Sequence, residues 1–399
     1  MKVSEQSKWI NGNLSDIADI TMGQSPPGNS YNDLKNGIGL INGPTEFTNK
    51  YPVVKQWTSK PTKLCKAGDI LLCVRGSSTG RMNIADDEYC IGRGVASIRA
   101  KKDKAETSFI YYTLNYKVNQ LLQKTAGSTF PNLSSNEIKD MIVGIPLFTE
   151  QQKIASILST WDKAIELKEK LIEQKKEQKK GLMQKLLTGE VRLPGFEGEW
   201  QEVKLGQIGK TYNGLTGKTA NDFGEGKPYI PYKTIFDHSK IDLQKIDYVM
   251  INKDEKQNCA RNGDIFFTTS SETPNEVGMS SVLLDDVDEI YLNSFSFGYR
   301  LNDFSVLLPE FAQHYFRSND FRKKMYILAQ GSTRFNISKN EVMKIIIKIP
   351  GLREQESISK VLSESDKELR LLINEVSSLK HQKQGLMQLL LTGKVRVKV

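Results

Sequence analysis

Arg75-Gly76-Ser77-Ser78-Thr79-Gly80-Arg81 is the stretch whose residue types and spacing offer chemistry most directly. Two arginines flank small hydroxyl residues just after the apolar run Ile70–Val74. A guanidinium fork matches phosphate oxygens and the O6/N7 edge of guanine, and serine or threonine hydroxyls bond to either. The bland alternative is a solvated strand-end loop. Thr268-Thr269-Ser270-Ser271-Glu272 holds the corresponding place in the second half of the chain and lacks arginine. Its glutamate suits a different readout, accepting from cytosine N4. The loops Gly127–Asn132 and Gly331–Asn336 share Gly-Ser-Thr and add Ser128, Thr129 and Asn132 to the first set, Arg334 and Asn336 to the second. A plain turn role is equally open for them. Arg93 and Lys124 in the first half, and Lys218, Tyr232 and Lys233 in the second, are weaker candidates of the same kind.

The residues for turnover are harder to find. Asp222-Phe223-Gly224-Glu225-Gly226 superficially looks like a glycine-rich methyl-donor loop, but no strand–turn–helix unit surrounds it. There is no Asn/Asp-Pro-Pro-aromatic motif and no GxxxxGK[ST] loop. His238, His314 and His381 lie far apart, and the four cysteines form no CxxC pair, which reads as reduced thiols. Gly68-Asp69-Ile70 and Gly263-Asp264-Ile265 read as turns entering strands. No catalytic residue, metal site or cofactor is expected. The formal charge of +9 favours a polyanionic partner. The start MKVSEQSKWI has no apolar core for export, and no apolar run is long enough to span a bilayer, so a cytoplasmic protein is expected.

The candidate loops are carried by a repeat. Residues 145–193 recur at 349–397 with a constant offset of 204 and no insertion. Trp9, Leu14, Ile17 and Gly23 align with Trp200, Leu205, Ile208 and Gly214 at an offset of 191, and the Gly-Asp-Ile turns at 195. The growing offset places insertions in the globular part of the second copy. The domains expected are 1–148, a helix within 149–193, then 197–352 and a helix within 353–397, with Leu193-Pro194-Gly195 as punctuation.

Each globular part is expected to be α+β. Ile70–Val74, Val95–Arg99 and Met141–Ile145 read as strands, as do Ile265–Thr269, Phe295–Arg300 and Ile345–Ile349. Residues 108–124 and 309–329 read as helices, the second opened by Pro309. Ser134 with Glu137, and Ser338 with Glu341, have capping-box spacing.

The repeated segments are helical throughout: no glycine or proline occurs from Glu150 to Lys180 or from Glu354 to Gln384. Leu362, Leu369, Val376, Lys383 and Leu390 alternate with Ser365, Leu372, Leu379 and Leu386 at 4-3 spacing. The first copy keeps the pattern with Leu158, Trp161, Ile165, Ile172, Leu182 and Leu186, but puts Lys168, Lys175 and Lys179 into the seam. Lysine stems can lie along such a seam with their heads in water. The run Lys175–Lys180 reads as a solvated face, with phosphate contact as the alternative. Because a compact domain keeps its termini close, the second helix must run antiparallel to the first. About 40 residues at ~1.5 Å rise make a rod of roughly 60 Å.

These features carry a family resemblance. GLMQKLLTGEVRLPGFEGEW at 181–200, GLMQLLLTGKVRV at 385–397, and the pair GSTFPNLSSNEIKDMIVGIP and GSTRFNISKNEVMKIIIKIP resemble the specificity subunit of type I restriction–modification systems. The resemblance implies two globular target-recognition domains joined by two long conserved helices in an antiparallel coiled coil, with pseudo-two-fold symmetry. It implies a non-catalytic reader of a bipartite asymmetric site in double-stranded DNA, with two modification (methyltransferase) subunits and restriction (translocase/nuclease) subunits as partners. A self-contained DNA methyltransferase and a coiled-coil scaffold without DNA binding are the competing readings.

Overall fold

The computed structural model describes residues 9–124 and 132–399. The chain forms two compact units, residues 1–169 with 374–399, and residues 170–373. Each holds one globular head and stretches of both long helices, Phe148–Thr188 and Leu352–Leu391.

The head of the first unit is built on a four-stranded antiparallel sheet in the order Ala18–Met22, Val95–Ala100, Ile70–Cys73, Met82–Ile84. Strand side chains alternate between faces, so Ile70–Cys73 feeds two cores. Ile70 and Leu72 pack with Leu14, Ile17, Ile98 and Ile110 on one face. Leu71 and Cys73 pack with Ile41, Cys65 and Ile91, from a second, five-stranded sheet, on the other. This explains a strand apolar at every position. The second unit repeats the plan with Gly209–Asn213, Ser296–Leu301, Ile265–Thr268 and Ser280–Val282. Ile265 and Phe267 face a core with Phe297, Phe316 and Phe321, while Phe266 joins Ile230 and Leu292 on the other face. In each unit a two-stranded ladder ties the head's first strand to the strand before the long helix: Ile10–Asn13 with Ile142–Ile145, and Gln201–Lys204 with Ile346–Ile349.

The Gly-Asp-Ile aspartates do more than turn the chain. Asp69 accepts from Arg99 Nε and Nη2 and from Ser97 Oγ, each at 2.7 Å, and from the Lys66 amide at 2.9 Å. Burial by itself pushes its carboxyl upward; the Arg99, Lys66 and Ser97 hydrogen bonds outweigh this and hold it below its ordinary value. Asp264 is bound likewise by Arg300, Tyr212 and the Arg261 amide.

The repeated motifs meet in a clasp at the start of each long helix. In the first unit the buried Glu150 takes two bonds from Arg396, at 2.7 and 2.6 Å, and the guanidinium lies over the Trp9 ring. In the second unit Glu354 takes two bonds from Arg192, at 2.5 and 2.6 Å, under the same stacking on Trp200. Gly189 and Gly393 end the helices at φ +74° and +69°, a conformation that favours glycine. Gln151 and Gln355, next along, each bond a proline carbonyl and a head backbone.

These pairings run antiparallel inside each unit, as the domain-termini argument expects. The seam positions Leu362, Leu369, Val376 and Leu390 are buried, as are Leu158, Ile165, Ile172 and Leu186. The seam lysines find acids on the facing helix: Lys168 meets Glu375 at 2.8 Å in the first unit, and Lys175 meets Glu368 at 2.7 Å in the second. Lys179 pairs with Asp366. In the run to Lys180, Lys176 and Lys180 pair along their own helix with Glu173 and Glu177.

Two expectations need correction. The helix read at 309–329 is two helices, Pro309–Tyr315 and Asn319–Ile327. Arg317 turns inward at the break and donates to the carbonyls of Ser280, Ile235, Phe236 and His238, while Ser318 caps the second helix. The capping box forms at Ser134 and Glu137, but Ser338 makes no side-chain cap, and the Glu341 carboxylate pairs with Lys344.

The helix–head contacts differ at one matched position. In the first unit Tyr112 donates to Asp162 at 2.7 Å, and Asp162 also pairs with Lys383. In the second unit His314 takes the place of Tyr112 against Asp366 and Lys179. Its Nδ1 stands 3.8 Å from Asp366 Oδ2, too far for a hydrogen bond, and that buried oxygen has no hydrogen-bond partner among the described residues. Its Nε2 lies 3.2 Å from Ser363 Oγ. Burial pushes the imidazole down to about 4, against a smaller upward pull from Asp366 and with Lys179 adding to the fall. The unfolded chain therefore takes up this proton first, and stability falls as pH drops from 6.5 toward 4, by up to about 3 kcal/mol. His314→Tyr restores the hydroxyl–carboxylate bond of the first unit. Its gain in denaturation midpoint is expected to be larger at pH 5 than at pH 7.5; an equal gain at both would refute the assignment.

Candidate nucleic-acid interface

In each head three separate loops are fastened to the end of one buried strand. In the first unit the Val74 amide donates to the Gly94 carbonyl, and the Val74 carbonyl accepts from the Leu133 amide, both at 2.9 Å. In the second, the Thr269 amide donates to the Phe295 carbonyl at 2.9 Å and its carbonyl accepts from the Ile337 amide at 3.0 Å. The strand-end loop, the turn before the next strand and the residue just beyond each Gly-Ser-Thr loop, Leu133 or Ile337, thus share one anchor. Gly23 and Gly214 sit against the middle loop: a Cβ on Gly23 would lie 2.2 Å from the Gly92 carbonyl oxygen, and one on Gly214 would lie 2.0 Å from that of Asn293. Backbone matching follows: Arg75 corresponds to Ser270, Arg93 to Ser294, and Gly94 to Phe295.

Arg75, Ser77, Arg81 and Arg93 are exposed, as is Asn132. Arg75 and Arg93 line one open cleft of about 560 Å³ with Ser25, Tyr31, Asn42 and Gly94. Arg81 also approaches the Phe47 carbonyl, at 3.4 Å. Ser78 is half-buried, and Thr79 is buried with its hydroxyl on the Gly76 carbonyl, closing the loop. Ser128 and Thr129 lie outside the described residues, as does the side chain of Lys124 at the end of the helix Thr107–Lys124.

In the second head Arg334 is exposed and lies 6.0 Å from the ring centroid of Phe295, itself 56% exposed. Lys233 and Asn336 are exposed beside a half-buried Tyr232, whose hydroxyl donates to the Ser270 carbonyl at 2.8 Å. Thr269 donates to the Phe295 carbonyl. Ser270 and Ser271 are buried, because they pair as a short ladder with Phe335–Asn336, and Ser271 bonds Glu276. Lys218 is ion-paired with Glu255 at 2.5 Å, with its side chain 4% exposed. These three are committed inside the fold.

Sequence reasoning missed Tyr31, Asn42 and Phe295. Asn42-Gly43-Pro44 carries a turn signal that was available; Tyr31 and Phe295 carry none.

This paired arrangement defines a class. The model of the type I restriction modification DNA specificity domain matches residues 6–176 and again 197–379, and the chain belongs to that family. The MjaVIII specificity subunit of a type I restriction enzyme from Methanocaldococcus jannaschii is 25% identical over 377 residues, 90% of this chain and 84% of that protein. Another protein of the same organism is 38% identical over 174 residues, so this chain spans only 41% of that relative's length. The fold is shared with a solved type I S subunit from M. genitalium, with TM-score 0.55, 18% identity, and 98% of each chain covered. A structure from work on assembly of the type I R-M system gives TM-score 0.65 at 18% identity, covering 96% of this chain and 97% of that one.

Gly23→Ala forces a methyl group onto three backbone carbonyls, those of Gly92, Val95 and Ile91, so a loss of about 1–3 kcal/mol in denaturant unfolding is expected. Unchanged stability would show that the loop carrying Arg93 is not held in this way.

Proposed function

We propose that this chain is the non-catalytic specificity subunit of a type I restriction–modification complex, acting in the cytoplasm on double-stranded DNA. Each head reads one half of a bipartite, asymmetric site through its three-loop cluster. Two modification subunits supply methyl transfer, and restriction subunits supply translocation and cleavage. Methyl donor and ATP belong to those partners. The observation that carries this reading is the same backbone anchor built twice with different exposed side chains: Arg75 and Arg93 in one head, Arg334 and Phe295 in the other. One site read twice would need like residues; two unlike half-sites need unlike ones. No helix among the described residues is long and apolar enough to cross a membrane.

Duplex binding by the full chain is expected to weaken steeply with salt, as phosphate contacts release counterions. Salt-independent or absent binding would favour a scaffold. Methyl transfer to duplex DNA by the purified chain alone would favour a self-contained enzyme. Replacing residues 1–148 with the first head of another family member is expected to change one half of the methylated motif and keep the other. A change in both halves would refute one head per half-site.

A further inference from the structure

We propose that the cleft between Arg75 and Arg93 reads guanine in the major groove and sets one position of the first head's half-site. This rests on the proposed DNA-reading role and adds the base and the side chains. Guanine is the base that presents two acceptors side by side in that groove, and a guanidinium fork is the side chain that pairs with both.

Both arginines are exposed at a cleft that also offers the hydroxyls of Ser25 and Tyr31 and the amide of Asn42. Among the described residues neither has a carboxylate partner, unlike Arg99, which is spent on Asp69. Their backbone is held rigidly, which base readout requires and phosphate anchoring does not. Arg75 follows Val74, whose amide and carbonyl are both bonded to other loops. Arg93 sits between two glycines with no room for side chains: a Cβ on Gly92 would lie 2.0 Å from Asn42 Oδ1, and one on Gly94 would lie 2.5 Å from the Asn42 carbonyl. Asn42 itself is fixed from below by the buried Glu46, which accepts from the Asn42 and Gly43 amides at 3.2 and 3.0 Å. The floor of the cleft is thus preformed.

The second head lacks this device. Its matched positions are Ser270, which is buried, and Ser294. Its arginine comes from the third loop as Arg334, where the first copy has Phe130. Changes at Arg75 and Arg93 therefore act on one half-site, and the other half serves as an internal control.

The test maps methylated motifs in genomic DNA of cells carrying the wild-type chain, no chain, or Arg75→Ala or Arg93→Ala. If deleting the chain removes no motif, the DNA-reading role itself fails. If deletion removes a motif, the variants decide the base. The expected result is a motif retained in both halves but relaxed at one guanine of one half-site, with discrimination there reduced on the order of 10-fold or more. An unchanged motif overturns the inference. So does relaxation at a position other than guanine, or uniform weakening at all positions, which is the signature of phosphate contacts. If an alanine variant abolishes methylation, Arg75→Lys and Arg93→Lys, which keep charge and lose the fork, are judged by the same outcomes. The purified full-length lysine variants are then selected against a randomised duplex pool, where a retained guanine preference overturns the inference.

Discussion

The bidentate bond between a buried glutamate and an arginine stacked on tryptophan is the interaction on which the rest of each unit depends. Glu150 and Glu354 are nearly inaccessible to water, and an uncompensated charge there would cost several kcal/mol. The arginine must therefore be present, and it reaches the glutamate only if the tail of one long helix lies beside the head of the other. The clasp thus makes antiparallel pairing a consequence of charge burial. Trp9 and Trp200 belong to the first segments of the heads, so the same clasp ties head, helix start and helix end together.

From that fixed base the heads gain rigidity by sharing one strand between two cores. A strand buried on both faces cannot slip by one residue without sending every side chain into the core built for its neighbour. Its end is therefore a firm place from which to hang loops. The loops can vary in side chain because the anchors common to both heads, at Val74 and Thr269, are made by backbone amides and carbonyls. This separates the part that must stay constant from the part that can change.

Much of this was legible in the residues, and the exceptions have physical reasons. The long helices announced themselves by 4-3 spacing and the absence of glycine and proline. The acidic partners of Lys168, Lys175 and Lys179 were hidden, because pairing them needs the register between two distant segments. The break at Phe316–Ser318 was hidden for a related reason: Arg317 is drawn in by carbonyls far away in sequence, which no local pattern encodes. Arg75 was visible as a candidate from its glycine- and serine-rich surroundings. Its meeting with Arg93 was not, since it passes through the bond between Val74 and Gly94. Ser270 and Ser271 looked available until their ladder with Phe335–Asn336 covered them.

The clasps also bear on ancestry. In each, the glutamate comes from one copy of the repeat and the arginine from the other: Glu150 with Arg396, and Glu354 with Arg192. Within a single copy, the two residues lie at opposite ends of one continuous helix and cannot meet. A precursor with one repeat could satisfy its buried glutamate only by borrowing an arginine from a sister molecule. Such a pair would be symmetric and confined to reading palindromes. With both copies in one chain each head is free to differ, and the same two bonds tie one repeat to the other within a single polypeptide.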